Sequence, residues 1–256
     1  MKDMKGMKNT TMMSAVMMSA AATMAMFAAG CTGLDTGNAG VAQVKFALSA
    51  APGQPVDSTG KEFVMSRALA PVERVDLYLP AGASCVGIEG LGPAGGSVGA
   101  VCEVDKIRVN GPWMVDLLTG QATPPFPVVP VVSGTYRRVD VRFDSDDDEV
   151  MLVEGTVALD SATVPFRLVV EVDEEVRFEG ADIVARPNVV AEAFLKLDPT
   201  AWMATIPIAQ CVAAGDLEVV NGVLELANGD GACEDIEELI EEAIENSGGL
   251  SDDDDD

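Results

Sequence analysis

The chain has 256 residues, 16 basic and 42 acidic, no histidine, and a formal net charge of −26. So large an acidic excess excludes nucleic-acid binding, which needs basic patches for phosphate contacts, and opposes adhesion to anionic lipid headgroups. The missing histidine removes Ser-His-Asp and Cys-His nucleophiles, histidine acid–base work and His-ligated zinc.

The first ten residues carry Lys2, Lys5 and Lys8 against one acid, Asp3, and no charge follows from Thr10 to Ala29. A basic stub, an apolar stretch and small residues at its end predict a secretory signal over residues 1–30. A membrane span needs about 20 apolar residues, and the many Ser, Thr and Ala here make a poor one. Ala28-Ala29-Gly30-Cys31 resembles the lipobox of bacterial lipoproteins, with Ala where Leu is more frequent. That resemblance implies cleavage before Cys31, diacylation of Cys31 as the new N-terminus, and membrane attachment through its lipid. Thr32, standing where Asp would retain such a protein, implies the outer membrane or cell surface. A plain secretory signal cut nearby is the other reading. Without residues 1–30, 13 basic and 41 acidic residues remain. Residues 31–40 are expected to be a tether.

From residue 41 the chain breaks into short apolar alternations. Val44, Phe46 and Leu48 fall on one face, as do Val75, Leu77 and Leu79, and later Phe166, Leu168, Val170 and Val172. Further strands are expected over 101–109, 113–118, 135–143, 150–157 and 188–197. Period-two alternation with one wet face is the pattern of antiparallel strands, and residues 41–200 show no long amphipathic helix. The expected fold is all-β, an antiparallel β-sandwich.

Setting Cys31 aside, Cys85, Cys102, Cys211 and Cys233 remain, an even number that allows three disulfide connectivities in an exported chain. The sequence-local pairs Cys85–Cys102 and Cys211–Cys233 are favoured, each closing a loop that stabilises by roughly 3 kcal/mol. The glycine-rich stretch between Cys85 and Cys102 lacks GxxxxGK[ST], so a surface loop is expected there in place of a phosphate cradle. Trp113 and Tyr136 suggest a sugar-stacking pair, but both lie within strand patterns, where core packing is the better expectation.

"FDSDDDEV" places Asp144, Asp146, Asp147, Asp148 and Glu149 between two expected strands. Calcium takes six to eight oxygen ligands, and these five carboxylates are the candidate calcium site, although the stretch is not an EF-hand loop. A solvated turn that discourages edge pairing is the alternative. "EVDEE" at 171–175 and "NGDG" at 228–231 are expected to be smaller acidic turns.

"VKFALSAAPG", "PWMVDLLTG" and "SGTYRRVDVRFD" resemble an uncharacterised family of bacterial lipoprotein domains over about residues 41–175. The resemblance implies a transthyretin-like or immunoglobulin-like sandwich and supplies no catalytic residue. Beyond it, Asp198-Pro199 predicts a helix N-cap followed by Pro at N1, with Trp202 anchoring the turn on the core.

Residues 201–247 change character. "LEVVNGVLEL" is a hairpin signal around Asn221-Gly222. Ile236, Leu239, Ile240, Ala243 and Ile244 then form the apolar stripe of a short helix whose other face stacks glutamates. Residues 248–256 are expected to be an acidic, disordered tail. Taken together, these residues predict a membrane-anchored envelope lipoprotein that is not an enzyme, a binding or structural module with a protein or polysaccharide partner. The alternatives are a calcium-dependent ligand- or carbohydrate-binding module, and an acidic subunit of an envelope complex docking through the C-terminal helix.

Overall fold

The computed structural model describes residues 40–51, 53–96, 99–144, 151–159, 162–171, 173–217 and 219–251. Cys31, the carboxylates Asp146, Asp147, Asp148 and Glu149, and the Asp252–Asp256 tail lie outside the described residues. In chain order the elements are β1 (Val41–Ala50), β2 (Phe63–Tyr78), β3 (Ala100–Cys102), β4 (Lys106–Asp116), β5 (Gln121–Thr123), β6 (Val129–Val132) and β7 (Gly134–Asp144). They continue with β8 (Met151–Ala158), β9 (Thr163–Val170), β10 (Asp173–Ala185), β11 (Val190–Leu197), α1 (Pro199–Ala204) and α2 (Ile208–Ala214). The last are β12 (Val219–Val220), β13 (Val223–Leu226), α3 (Ile236–Glu245) and β14 (Gly248–Ser251).

The strands make two sheets. One runs β14–β11–β1–β6, and the larger runs β10–β7–β2–β8–β9–β13–β12, with β4 added to β2 and carrying β3 and β5. Side chains from both meet in one core: Val44, Phe46 and Leu48 of β1 and Leu195 and Leu197 of β11 share it with Val139, Val141 and Phe143 of β7. Burying a side chain such as Phe46 stabilises by roughly 1.5–3 kcal/mol, and alternation along each strand supplies one such residue at every second position. The sheets are not wholly antiparallel as expected. β1 pairs with β11 in parallel, and β13 with β9 in parallel, because each later strand enters beside its partner from a distant crossover.

β2 is more than twice as long as its alternation suggests, and the reason lies in its bulges. The buried positions change parity, from Phe63 to Ala68, Ala70 and Val72, and again to Val75 and Leu77. The register slips between Met65 and Arg67 and between Val72 and Arg74, so an extra residue at each place flips the faces. Glycines accept the close approach opposite those slips: a Cβ on Gly155 would overlap the carbonyl oxygen of Val64.

One edge of β2 is taken by β4 along residues 69–78. The other carries β8 along 63–69 and β7 along 72–77. β7 and β8 therefore lie end to end, not as a hairpin, and β9 and β10 line up in the same way outside them. The acidic turn expected at 171–175 is accordingly a strand start: Asp173 opens β10 opposite Asp144, and its charge is met by Arg142.

Two disulfides, Cys85–Cys102 and Cys211–Cys233, have Cα separations of 5.6 and 6.1 Å. Asp198 caps α1 by accepting from the Thr200 amide at 2.9 Å, and the Trp202 indole donates to Ser247 Oγ at 3.0 Å. α2 has no cap of its own, so Asp57 supplies one from the β1–β2 connection, accepting from the Ala209 amide at 3.3 Å. Asn221 and Gly222 take positive φ in the β12–β13 turn, as a tight hairpin requires. Ile236, Ile240 and Ile244 of α3 are buried in the fold, which leaves the helix its acidic face outward. Residues 248–251, expected in the tail, instead form β14 against β11. Glycine permits this, because a Cβ at 248 would overlap the Arg177 carbonyl of β10.

Candidate functional site

The outer face of β4, β2, β7 and β10 holds a connected array of charged side chains. Strand pairing sets its rows: Arg108, Asp76, Asp140 and Arg177 stand abreast, and beside them Asn110, Arg74, Arg142 and Glu175. Asp76 thus faces Asp140 and Arg74 faces Arg142, and like charges directly opposite destabilise a sheet. Neutralisation comes along the rows and diagonals. Lys106 Nζ lies 2.6 Å, Arg108 Nε 3.0 Å and Arg74 Nε 3.5 Å from Asp76. Asp140 accepts from Arg138 Nε at 2.8 Å and has Arg177 Nε at 3.8 Å. Arg74 reaches Glu175 at 3.0 Å and Glu73 at 3.5 Å, and Arg142 is paired with Asp173.

Burial is unequal across this lattice. The Asp76 and Asp140 side chains are 1% exposed, whereas the cations over them keep part of their surface in water. Tyr78 lies among them, with the Arg138 guanidinium 4.0 Å and the Lys106 ammonium 5.3 Å from its ring centre.

These contacts fix the protonation states. Burial pushes the Asp76 carboxyl up, but hydrogen bonds and charge from Arg108 and Lys106 outweigh it and hold the group below the usual carboxylate range. For Lys106 burial acts downward and Asp76 overcomes it, so the ammonium holds its proton more tightly than usual. Burial raises the Tyr78 phenol, helped by the Asp140 charge. An ionised acid, a protonated amine and a neutral phenol at neutral pH are arranged for ion pairing, not for handing on a proton.

The residues expected to carry function fall elsewhere. Asp144 closes β7, and the other four calcium candidates lie outside the described residues. Among the described residues no group of three or more His, Cys, Asp or Glu side chains is placed to hold a metal. Trp113 and Tyr136 belong to the core: Trp113 packs on Phe126 with ring centres 5.0 Å apart, and Tyr136 donates to the Val132 carbonyl at 2.7 Å. The charge lattice went unforeseen. Its signal was present in "RVDLY", "IRVN" and "YRRVDVRFD", where charges alternate with apolar residues, but only the cross-strand register brings those charges together.

No protein family, curated protein or solved structure matches this chain.

Proposed function

We propose that the protein is an exported, lipid-anchored module of the cell envelope that binds or scaffolds and does not catalyse. The observation that carries this reading is the state of the cysteines. Four are buried in two disulfides, as an oxidising compartment allows. The fifth, Cys31, ends a basic and then apolar N-terminal stretch at Ala-Ala-Gly-Cys. The charge lattice adds support, since its groups are locked in ion pairs. The fold is read as immunoglobulin-like or transthyretin-like. Tyr136 lends this some weight: at the start of β7 its hydroxyl bonds back to the backbone four residues upstream, as the tyrosine corner of Greek-key sandwiches does. Metabolic labelling with a palmitate analogue tests the address. Wild type takes the label and Cys31→Ala loses it; label retained in the variant refutes lipidation at Cys31.

A further inference from the structure

We infer that the end of the sandwich where the described chain begins is a lipid-facing surface that rests on the bilayer holding the anchor. The inference builds on the lipid-anchored reading above.

At that end Val41 pairs with Val132, the Ser133 amide donates to Gly40, and a Cβ on Gly40 would meet the Pro187 ring at 2.8 Å. The tip of the Cys85 loop joins them across a cleft of about 390 Å³, lined by Gly40, Val41, Val86, Ile88 and Val132 among others. Val190 lies at the start of β11, opposite Gln43, and Val189 precedes it. Large apolar side chains here stand in water: Val86 is 83% exposed, Val189 55%, Val41 51% and Val190 44%.

Charge is thin along the segments that carry these valines, although Glu89 follows the cleft residue Ile88 and Asp105 accepts from the Leu79 amide beside them. Segments 40–44, 79–88, 130–136 and 183–191 contain a single charged residue, Arg186, in a chain that is 23% charged. The glutamate face of α3 lies toward the far end of the strands, where α3 and the Leu197 end of β11 meet through the Asp198 amide and the Ser247 carbonyl. For a processed chain with 13 basic and 41 acidic residues, a valine-bearing face with few charges approaches lipid headgroups with less repulsion than the glutamate face of α3.

The tether decides the occupant. Eight residues lie between Cys31 and Gly40, and the nine steps from one to the other, at 3.3–3.6 Å each, span at most about 32 Å. An acylated Cys31 therefore keeps Gly40 near the headgroups, and the patch around it is the part of the fold held closest to them. Exposed valines suit shallow contact with a zwitterionic surface, which the few acids bordering them do not repel as they would an anionic one.

Hydrogen exchange on the acylated full chain, reconstituted in vesicles of phosphatidylcholine and phosphatidylethanolamine, tests this against soluble Cys31→Ala protein. Amides in 80–88 and 184–190 are expected to exchange at least about threefold more slowly on vesicles, while those of α3 do not change. The Val86→Asp/Val189→Asp variant, altered only at exposed side chains, is expected to float with the vesicles and lose that protection. A chain that floats with both segments unprotected overturns the lipid-facing surface and leaves the anchor standing. Protection that appears only after envelope proteins are added assigns the patch to a protein partner and overturns the proposal too. A wild-type chain that does not float refutes the anchor, and this proposal falls with it.

Discussion

Asp76→Asn is a sharp test of the charge lattice. The substitution keeps the shape and removes the negative charge, leaving Lys106, Arg108 and Arg74 around a neutral amide. Breaking a buried pair by removing one partner costs about 3–5 kcal/mol when the remaining charge stays buried. Here the cations are 17–28% exposed and can lean into water, which argues for a cost below that range, about 2–3 kcal/mol. At roughly 2–4 °C per kcal/mol for a domain of this size, the melting temperature should fall by about 5–10 °C. The pH dependence carries a sign. Because the folded Asp76 carboxyl is held below its unfolded value, its contribution is complete above the unfolded pKa and is lost as pH falls through the folded one. Thermal unfolding of wild type and variant, disulfides intact, should therefore differ most near pH 7 and converge progressively below about pH 4. Equal melting temperatures at pH 7, or a gap that persists unchanged at the acid end, would show that the ion pairs do not stabilise the sheet.

Other expectations follow from single contacts. Asp57 is buried and accepts from Thr59 N at 2.8 Å, Thr59 Oγ1 at 2.7 Å, Lys61 N at 2.8 Å and Ala209 N. Asp57→Ala should cost about 2–3 kcal/mol in urea unfolding and speed amide exchange at both Lys61 and Ala209; an effect confined to the loop refutes its capping of α2. Gly155→Ala places a methyl group against the Val64 carbonyl and 2.8 Å from the Phe166 ring, so a loss of more than about 2 kcal/mol is expected from the denaturation midpoint. The chain has two tyrosines, and both titrate above their ordinary value: burial pushes Tyr136 up to about 12 and raises Tyr78 as well. Absorbance near 295 nm should accordingly show little tyrosinate at pH 10, and a half-ionised signal there would contradict the burial of these rings.

What the sequence made legible was whatever depends on local period. The alternation of Val44, Phe46 and Leu48, the Asn221-Gly222 turn, the Asp198 cap with Pro199, and the Ile236–Ile244 stripe need only neighbours along the chain, and each appears in the structure. The first half of β2 was hidden because its bulges break the parity of its apolar residues. β10 was hidden because its opening acids resemble a turn until Arg142 and Arg74 are known to stand beside them. Asp76 and Asp140 stayed unnoticed for the same reason: alternation gives the face opposite the core and says nothing of the arginines that close over it.

The end-to-end arrangement of β7 and β8 has a bearing on how the chain tolerates change. Phe143 and Leu152 are nine positions apart, yet their partners on β2, Val72 and Leu69, are three apart. Each strand is pinned by its own neighbours, β7 by β2 and β10, β8 by β2 and β9, so neither depends on the connecting residues for its register. β7 and β8 thus follow one another along the same edge of β2, and the number of residues joining them is decoupled from the alignment of either. This is where foreign sequence should be accommodated with the least disturbance, an entry port for an epitope or a reporter that leaves both flanking ladders in place.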